Sequence, residues 1–141
     1  MIAIDTNILV HAHREDSPWH EQAKRGLAGL GGQRWAIPWP CVHEFLAITT
    51  HPKVFDPPTP LEHALTAVQT WLEAPLVALL GELDGYFETL AALLRSSRVV
   101  GPRVHDARIA ALCVQHGVTE LWTMDRDFSR FPQLTTKNPL T

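Results

Sequence analysis

The chain has only two cysteines, Cys41 and Cys113. They lie far apart and form no C-x-x-C pair, which excludes a zinc ribbon or a redox couple of that spacing. Both are expected as buried, reduced packing residues. No stretch approaches the roughly 20 uncharged apolar residues needed to cross a bilayer. The opening Met1-Ile2-Ala3-Ile4-Asp5 lacks the basic flank of a secretion signal. No membrane segment is therefore expected, and the cytoplasm is the expected location. Repeats, linkers and low-complexity blocks are also missing. Histidine is plentiful, with eight residues, but His11 and His13 are too close for an H-x-x-x-H pair on a helix. A histidine-based zinc site is not expected.

What is present is apolar material for one core: 141 residues with 45% hydrophobic composition. A single domain spanning residues 1–141 is the natural expectation. A formal net charge of −3 argues weakly against a nucleic-acid binder, but its distribution matters more than its sum. From Arg95 onward the bases are Arg95, Arg98, Arg103, Arg108, Arg126, Arg130 and Lys137, against Asp106, Glu120, Asp125 and Asp127. If cations neutralised three of those four acids, the remaining surface would be basic enough to hold a phosphate backbone. On charge alone, a set of solvated arginines is the plainer reading.

Met1 to Ile4 reads as a buried strand feeding a helix at Ile8-Leu9-Val10, with Thr6 or Asn7 suited to the cap. Ser17-Pro18 opens a second helix carrying Trp19, Ala23, Leu27 and Leu30 as far as Gly31-Gly32. Trp35 to Ile37 is a second strand, and Pro40 opens a helix with Val42, Phe45, Leu46 and Thr49. The proline-rich stretch 51–60 predicts an irregular loop. Thr59-Pro60-Leu61-Glu62 has the form of a capping box before Leu65, Val68 and Leu72. Pro75 to Leu80 is a third strand, Glu82 to Ser97 a helix, and a further helix runs from about His105 to a stop at His116-Gly117. Glu120 to Thr123 is a fourth strand. Alternating strands and helices imply an α/β fold with a mostly parallel sheet covered on both faces.

Ligands of such sheets bind beyond the carboxyl ends of the strands. Four acids fall there: Asp5 after the first strand, Glu44 on the helix after the second, Asp106 at the start of a late helix and Asp125 after the last strand. Singly, Asp5 and Asp106 fit helix-cap or first-turn roles, and Asp125 and Asp127 fit turn formers. Glu44 is harder to dismiss, standing between Val42 and Phe45-Leu46. Carboxylates gathered without cations would repel and destabilise the fold. An all-oxygen ligand set suits Mg²⁺ or Mn²⁺. Two such ions about 4 Å apart activate water and stabilise a leaving oxygen, so phosphodiester hydrolysis is the implied chemistry.

Four segments stand in order along the chain: Ile2-Ala3-Ile4-Asp5-Thr6-Asn7-Ile8-Leu9-Val10, Glu44-Phe45, His105-Asp106-Ala107 leading into Ile109-Ala110, and Trp122-Thr123-Met124-Asp125-Arg126-Asp127-Phe128. In these the chain resembles the PIN-domain family, and within it the VapC-like ribonuclease toxins of type II toxin–antitoxin modules. The resemblance implies a PIN-like three-layer α/β/α fold with four to five short strands. It also implies Asp5, Glu44, Asp106 and Asp125 as the catalytic, metal-binding acids and Asp127 as a more variable one. Asn7 and Thr123 match supporting polar positions, although a helix cap and an ordinary strand residue are equally natural roles for them. RNA as substrate, a cognate antitoxin protein and a homodimer follow from the same resemblance. Arg108, Arg126 and Arg130 are the candidates for steadying the RNA backbone. Trp19, Leu27, Leu65, Val68, Trp71 and Leu72 are candidates for a groove or dimer face, with core packing as the alternative.

Rival readings have specific requirements. A phosphatase of the haloacid-dehalogenase type needs an aspartate where this chain has Asn7. A receiver-like module needs an acidic pair at the first strand and a late lysine, and Lys137 lies in an expected tail. A non-catalytic PIN-like domain that binds RNA or protein is opposed by the intact acid set.

Overall fold

The computed structural model describes residues 1–141. Five short strands form one parallel sheet in the order β3-β2-β1-β4-β5: β1 Ile2–Ile4, β2 Trp35–Pro38, β3 Val77–Leu80, β4 Glu120–Trp122 and β5 Thr135–Lys137. Six α-helices connect them: α1 Thr6–His13, α2 His20–Ala28, α3 Trp39–Thr49, α4 Leu61–Leu72, α5 Tyr86–Ser97 and α6 Val104–Gln115. Parallel pairing has a cause in the sequence. Each of the first four strands is followed by helical segments long enough for a crossover, and parallel neighbours require one.

The chain steps from β1 to β2 to β3 in one direction, then returns past all three to lay β4 on the other side of β1. Right-handed crossovers then put the helices of the first two connections on one face and α5 and α6 on the other. Packing agrees, with α1 against α2 and α3, α3 against α4, and α5 against α6. The result is the expected three-layer α/β/α arrangement. The reversal between β1 and β4 makes their carboxyl ends a switch point, where a crevice opens between diverging connections.

The inner strands are short and apolar, and Ala3, Ile4, Ala36, Ile37 and Leu121 are fully enclosed. Phe45 anchors the α1–α3–α4 side, making edge contacts with Trp71 at 4.9 Å and His13 at 5.3 Å between ring centroids. On the other face, Ala107, Ala110 and Ala111 let α6 lie close to the sheet without bulk. Cys41 and Cys113 are buried and unpaired, and burial pushes both thiols up, keeping them protonated. Trp19, Leu27, Val68, Trp71 and Leu72 pack on or within this core. Of the six residues considered for a groove or dimer face, only Leu65 is substantially exposed. No helix is long and apolar enough to cross a membrane.

Local details correct several expectations. Asp5, rather than Thr6 or Asn7, is the N-cap of α1, its side chain accepting from the Thr6 N–H. Helix α2 begins at His20 and ends at Ala28, inside the expected span, because Ser17 instead closes a turn by accepting from the Trp19 N–H at 3.1 Å. Thr59 forms no capping box; Pro60 precedes α4 without a side-chain cap. The Thr59 hydroxyl instead meets His13 at 3.1 Å and Arg14 at 3.3 Å, tertiary partners that outweigh the local one. Strand β3 starts at Val77 and α5 at Tyr86, both later than expected. Strand β5 lies in the segment expected to be a tail.

Candidate active site at the sheet switch point

Asp5 sits where β1 ends and α1 begins, 5% exposed. Its backbone N–H donates to the Trp122 carbonyl at 3.0 Å, extending the β1–β4 ladder and fixing the turn. The side chain is held on both oxygens. Oδ1 accepts from the Thr6 N–H at 2.7 Å and from the Cys41 thiol at 3.6 Å. Oδ2 accepts from the Thr123 hydroxyl at 2.7 Å and from the Asn7 amide at 3.4 Å. Burial pushes this carboxyl above its ordinary value, the charge of Glu44 adds to the rise, and the Thr123 and Thr6 hydrogen bonds oppose it.

Thr123 and Asn7 form the hinge of the site. The Asp125 N–H donates to the Thr123 hydroxyl at 2.9 Å, and the Met124 N–H donates to Asn7 Oδ1 at 3.2 Å. One hydroxyl thus links Asp5 to the backbone that carries Asp125. The Asp125 carboxylate caps the 3₁₀ turn Arg126–Arg130, accepting from the Asp127 N–H at 2.8 Å. Asp125 thus forms this turn and, through Thr123, is tied to Asp5.

Glu44 reaches the same place from α3. Its Oε2 accepts from the Thr6 hydroxyl at 2.9 Å, across 38 positions of sequence. Asp106 arrives from the first turn of α6. Its carboxyl is pushed up to about 6 by burial and, beyond that, by the charges of Asp125, Asp5 and Asp127, while Arg103 pulls it down. Glu44, Asp5, Asp106, Asp125 and Asp127 accordingly form one electrostatically connected group. Residues spread over most of the chain converge on the switch point.

Asp127 is ion-paired with Arg103, whose guanidinium also feels Asp106 and Asp125. Among the arginines considered for RNA, Arg108 is exposed and lines a cleft beside α3. Arg126 borders a recess with Asp125 and Asn138. Arg130 is exposed at the end of its 3₁₀ turn. Arg103, Thr6 and Cys41 are the additions to the site. The position of Arg103 three residues before Asp106, one helical turn away, is the signal that marks it.

The carboxylates do not close into a tight cage of three ligands. Mg²⁺ does not need one, since it keeps several waters and is commonly bound through one or two carboxylates. The donor chemistry fits a hard, hydrated divalent ion: all-oxygen groups, one buried, and one whose ionisation is suppressed by burial and by neighbouring acids. Two roomier recesses contain none of these acids: about 400 Å³ beside His13, Arg14 and Thr59, and about 510 Å³ beside Thr89, Leu93 and Val114.

Comparison with known proteins points the same way. The chain is 31% identical over 141 residues to Ribonuclease VapC48 of Mycobacterium tuberculosis, covering 97% of this chain and 96% of that one. It is 32% identical over 133 residues to Ribonuclease VapC37 of the same organism, covering 93% and 92%. The fold superposes on a structure of VapBC2 from Rickettsia felis bound to a DNA fragment from their promoter, with a TM-score of 0.71, 19% identity and 98% of each chain covered. The family model for the PIN domain matches residues 2–134, and the chain belongs to that family.

Proposed function

We propose that this protein is a divalent-metal-dependent endoribonuclease, the toxin of a toxin–antitoxin pair, which hydrolyses RNA phosphodiester bonds at the centre formed by Asp5, Glu44, Asp106 and Asp125. This rests on the convergence at Asp106, whose carboxyl is pushed up to about 6 by burial and, beyond that, by acids brought from two other places in the chain, Asp5 after β1 and Asp125 and Asp127 after β4. Natural folds tolerate such mutual repulsion where a cation relieves it. The relatives named ribonucleases, matched over nearly their full lengths, support RNA as the substrate.

Asp5, Asp106 and Asp125 would hold Mg²⁺ or Mn²⁺, with Glu44 bound through Oε1 or through a water because Oε2 is engaged by Thr6. When bound, the cation supplies activated water and stabilisation of the leaving oxygen. Thr123 and Asn7 orient Asp5, and Thr6 orients Glu44. Arg103 competes with the cation for Asp127, so Asp127 serves as a weaker, outer ligand. A cognate antitoxin and a second copy of the chain are the expected protein partners. Their motivation is the structural likeness to a VapBC2 assembly together with exposed apolar residues such as Phe87 and Leu83, 73% and 50% exposed.

The test is to incubate the purified, partner-free protein with total cellular RNA, with and without Mg²⁺ or Mn²⁺, and to map the ends. Metal-dependent cuts with 5′-phosphate and 3′-hydroxyl ends are expected. Cuts ending in 2′,3′-cyclic phosphate would overturn the mechanism.

A further inference from the structure

Trp39 is the first residue of α3 and emerges directly from the carboxyl end of β2. It is left 39% exposed, although a tryptophan offers more apolar surface to bury than any other side chain. His43, one turn on, stacks on it at 6.2 Å between ring centroids with 29° between planes. The indole edge rests beside Gly81, where a Cβ would stand 3.7 Å from Trp39 Cδ1.

Beside this pair opens a cleft of about 210 Å³, with Leu80 and Leu112 for apolar lining and Glu82 and Arg108 as charged groups. Pockets for drug-sized ligands hold about 300–1,000 Å³, so this one is scaled for a single planar ring. Its walls belong to the site's own helices. Pro40 in the cleft is one helical turn, about 5.4 Å, from Glu44 on α3, and Trp39 and Gly81 follow β2 and β3 at the same carboxyl edge of the sheet as Asp5.

We infer that this cleft is a nucleobase subsite, in which one base of a single-stranded RNA stacks on Trp39 while Arg108 and Glu82 meet its polar edge. The inference deepens the nuclease reading and rests on it for the identity of the ligand. Stacking on an aromatic face tolerates any base. A carboxylate and a guanidinium at the rim add a preference, because they reward a base that presents a donor and an acceptor side by side. A strand seated there runs along the same sheet edge toward the carboxylates, so the subsite selects which phosphate reaches them.

The experiment follows tryptophan indole N–H signals by NMR while short single-stranded RNAs of mixed sequence are added in EDTA, which suppresses cutting. The Trp39 signal, assigned by its loss in Trp39→Phe, shifts on RNA addition, while that of buried Trp35 stays in place. Trp39→Ala weakens RNA binding about tenfold, equivalent to about 1.4 kcal/mol, and Trp39→Phe keeps most of the affinity. Trp39→Phe also guards against a folding artefact in the alanine variant. RNA that binds without moving the Trp39 signal, equal binding by Trp39→Ala, or no binding by the wild type would each overturn the subsite. The nuclease reading fails separately, if RNA shifts Trp39 but is never cut when Mg²⁺ or Mn²⁺ is supplied.

Discussion

Asp106→Asn separates a metal-binding acid from a structural one. In the folded chain this carboxyl is raised from 3.8 to about 6. Between those values the folded state holds more protons than the unfolded state. Without metal, stability therefore falls as pH rises from 3.8 to about 6 and stays lower above that window. Felt in full, such a shift corresponds to about 3 kcal/mol. The side chain is only half-buried, and the N-terminal end of α6 favours its charge, so screening and the helix dipole reduce the effect to about 1 kcal/mol. Asparagine removes the charge at nearly constant shape. In EDTA at about pH 7, Asp106→Asn should melt roughly 3–4 °C above the wild type. At about pH 4 the gap should close, because the wild-type acid is then mostly protonated. Saturating Mn²⁺ should reverse the order, since a ligand at about 100 times its Kd adds about 2.7 kcal/mol to the protein that binds it. Scanning calorimetry at the two pH values, with and without Mn²⁺, reads all three. A variant less stable than wild type in EDTA at the higher pH, or a gap independent of pH, would show that the Asp106 charge does not destabilise the metal-free fold.

Other perturbations probe the supporting contacts. Thr6→Val removes the hydroxyl that holds Glu44 at 2.9 Å and is expected to weaken Mn²⁺ binding by calorimetry about tenfold, the lower end for loss of a ligand's supporting hydrogen bond. Arg103→Ala frees Asp127 and should tighten Mn²⁺ binding a few-fold, while leaving the midpoint of urea unfolding nearly unchanged because the ion pair is solvent-exposed. Phe45→Ala empties a fully enclosed site between Trp71 and His13 and should cost about 3–5 kcal/mol in urea unfolding.

The strand–helix alternation and the four acids were legible from local marks: Asp5 and Asp125 follow short apolar strands that stop abruptly, Asp106 stands in the first turn of a late helix, and Glu44 interrupts the apolar pattern of α3. Strand β5 left no such mark. Thr135, Thr136 and Lys137 are all exposed, and the strand is held by its backbone ladder to β4. The contacts of Thr59 with His13 and Arg14 were invisible for a related reason, since a capping motif records local preference and not the tertiary partner that displaces it. Within the site, sequence could name Asp5 and Glu44 but not the Thr6 hydroxyl between them, because any first-turn threonine looks like a cap. The Arg103–Asp127 pair spans two loops, and its cost to a metal ligand emerges only when both stand at the same mouth.

Asp5 and its distant partners are expected to bind one hard divalent ion jointly. Calorimetric titration of metal-free protein with Mn²⁺, for the wild type and for Asp5→Asn with unchanged circular dichroism, measures that binding. Saturable binding by the wild type that is lost or weakened at least tenfold in the variant is the expected result. Equal Mn²⁺ binding by both proteins, or none by the wild type, would contradict it.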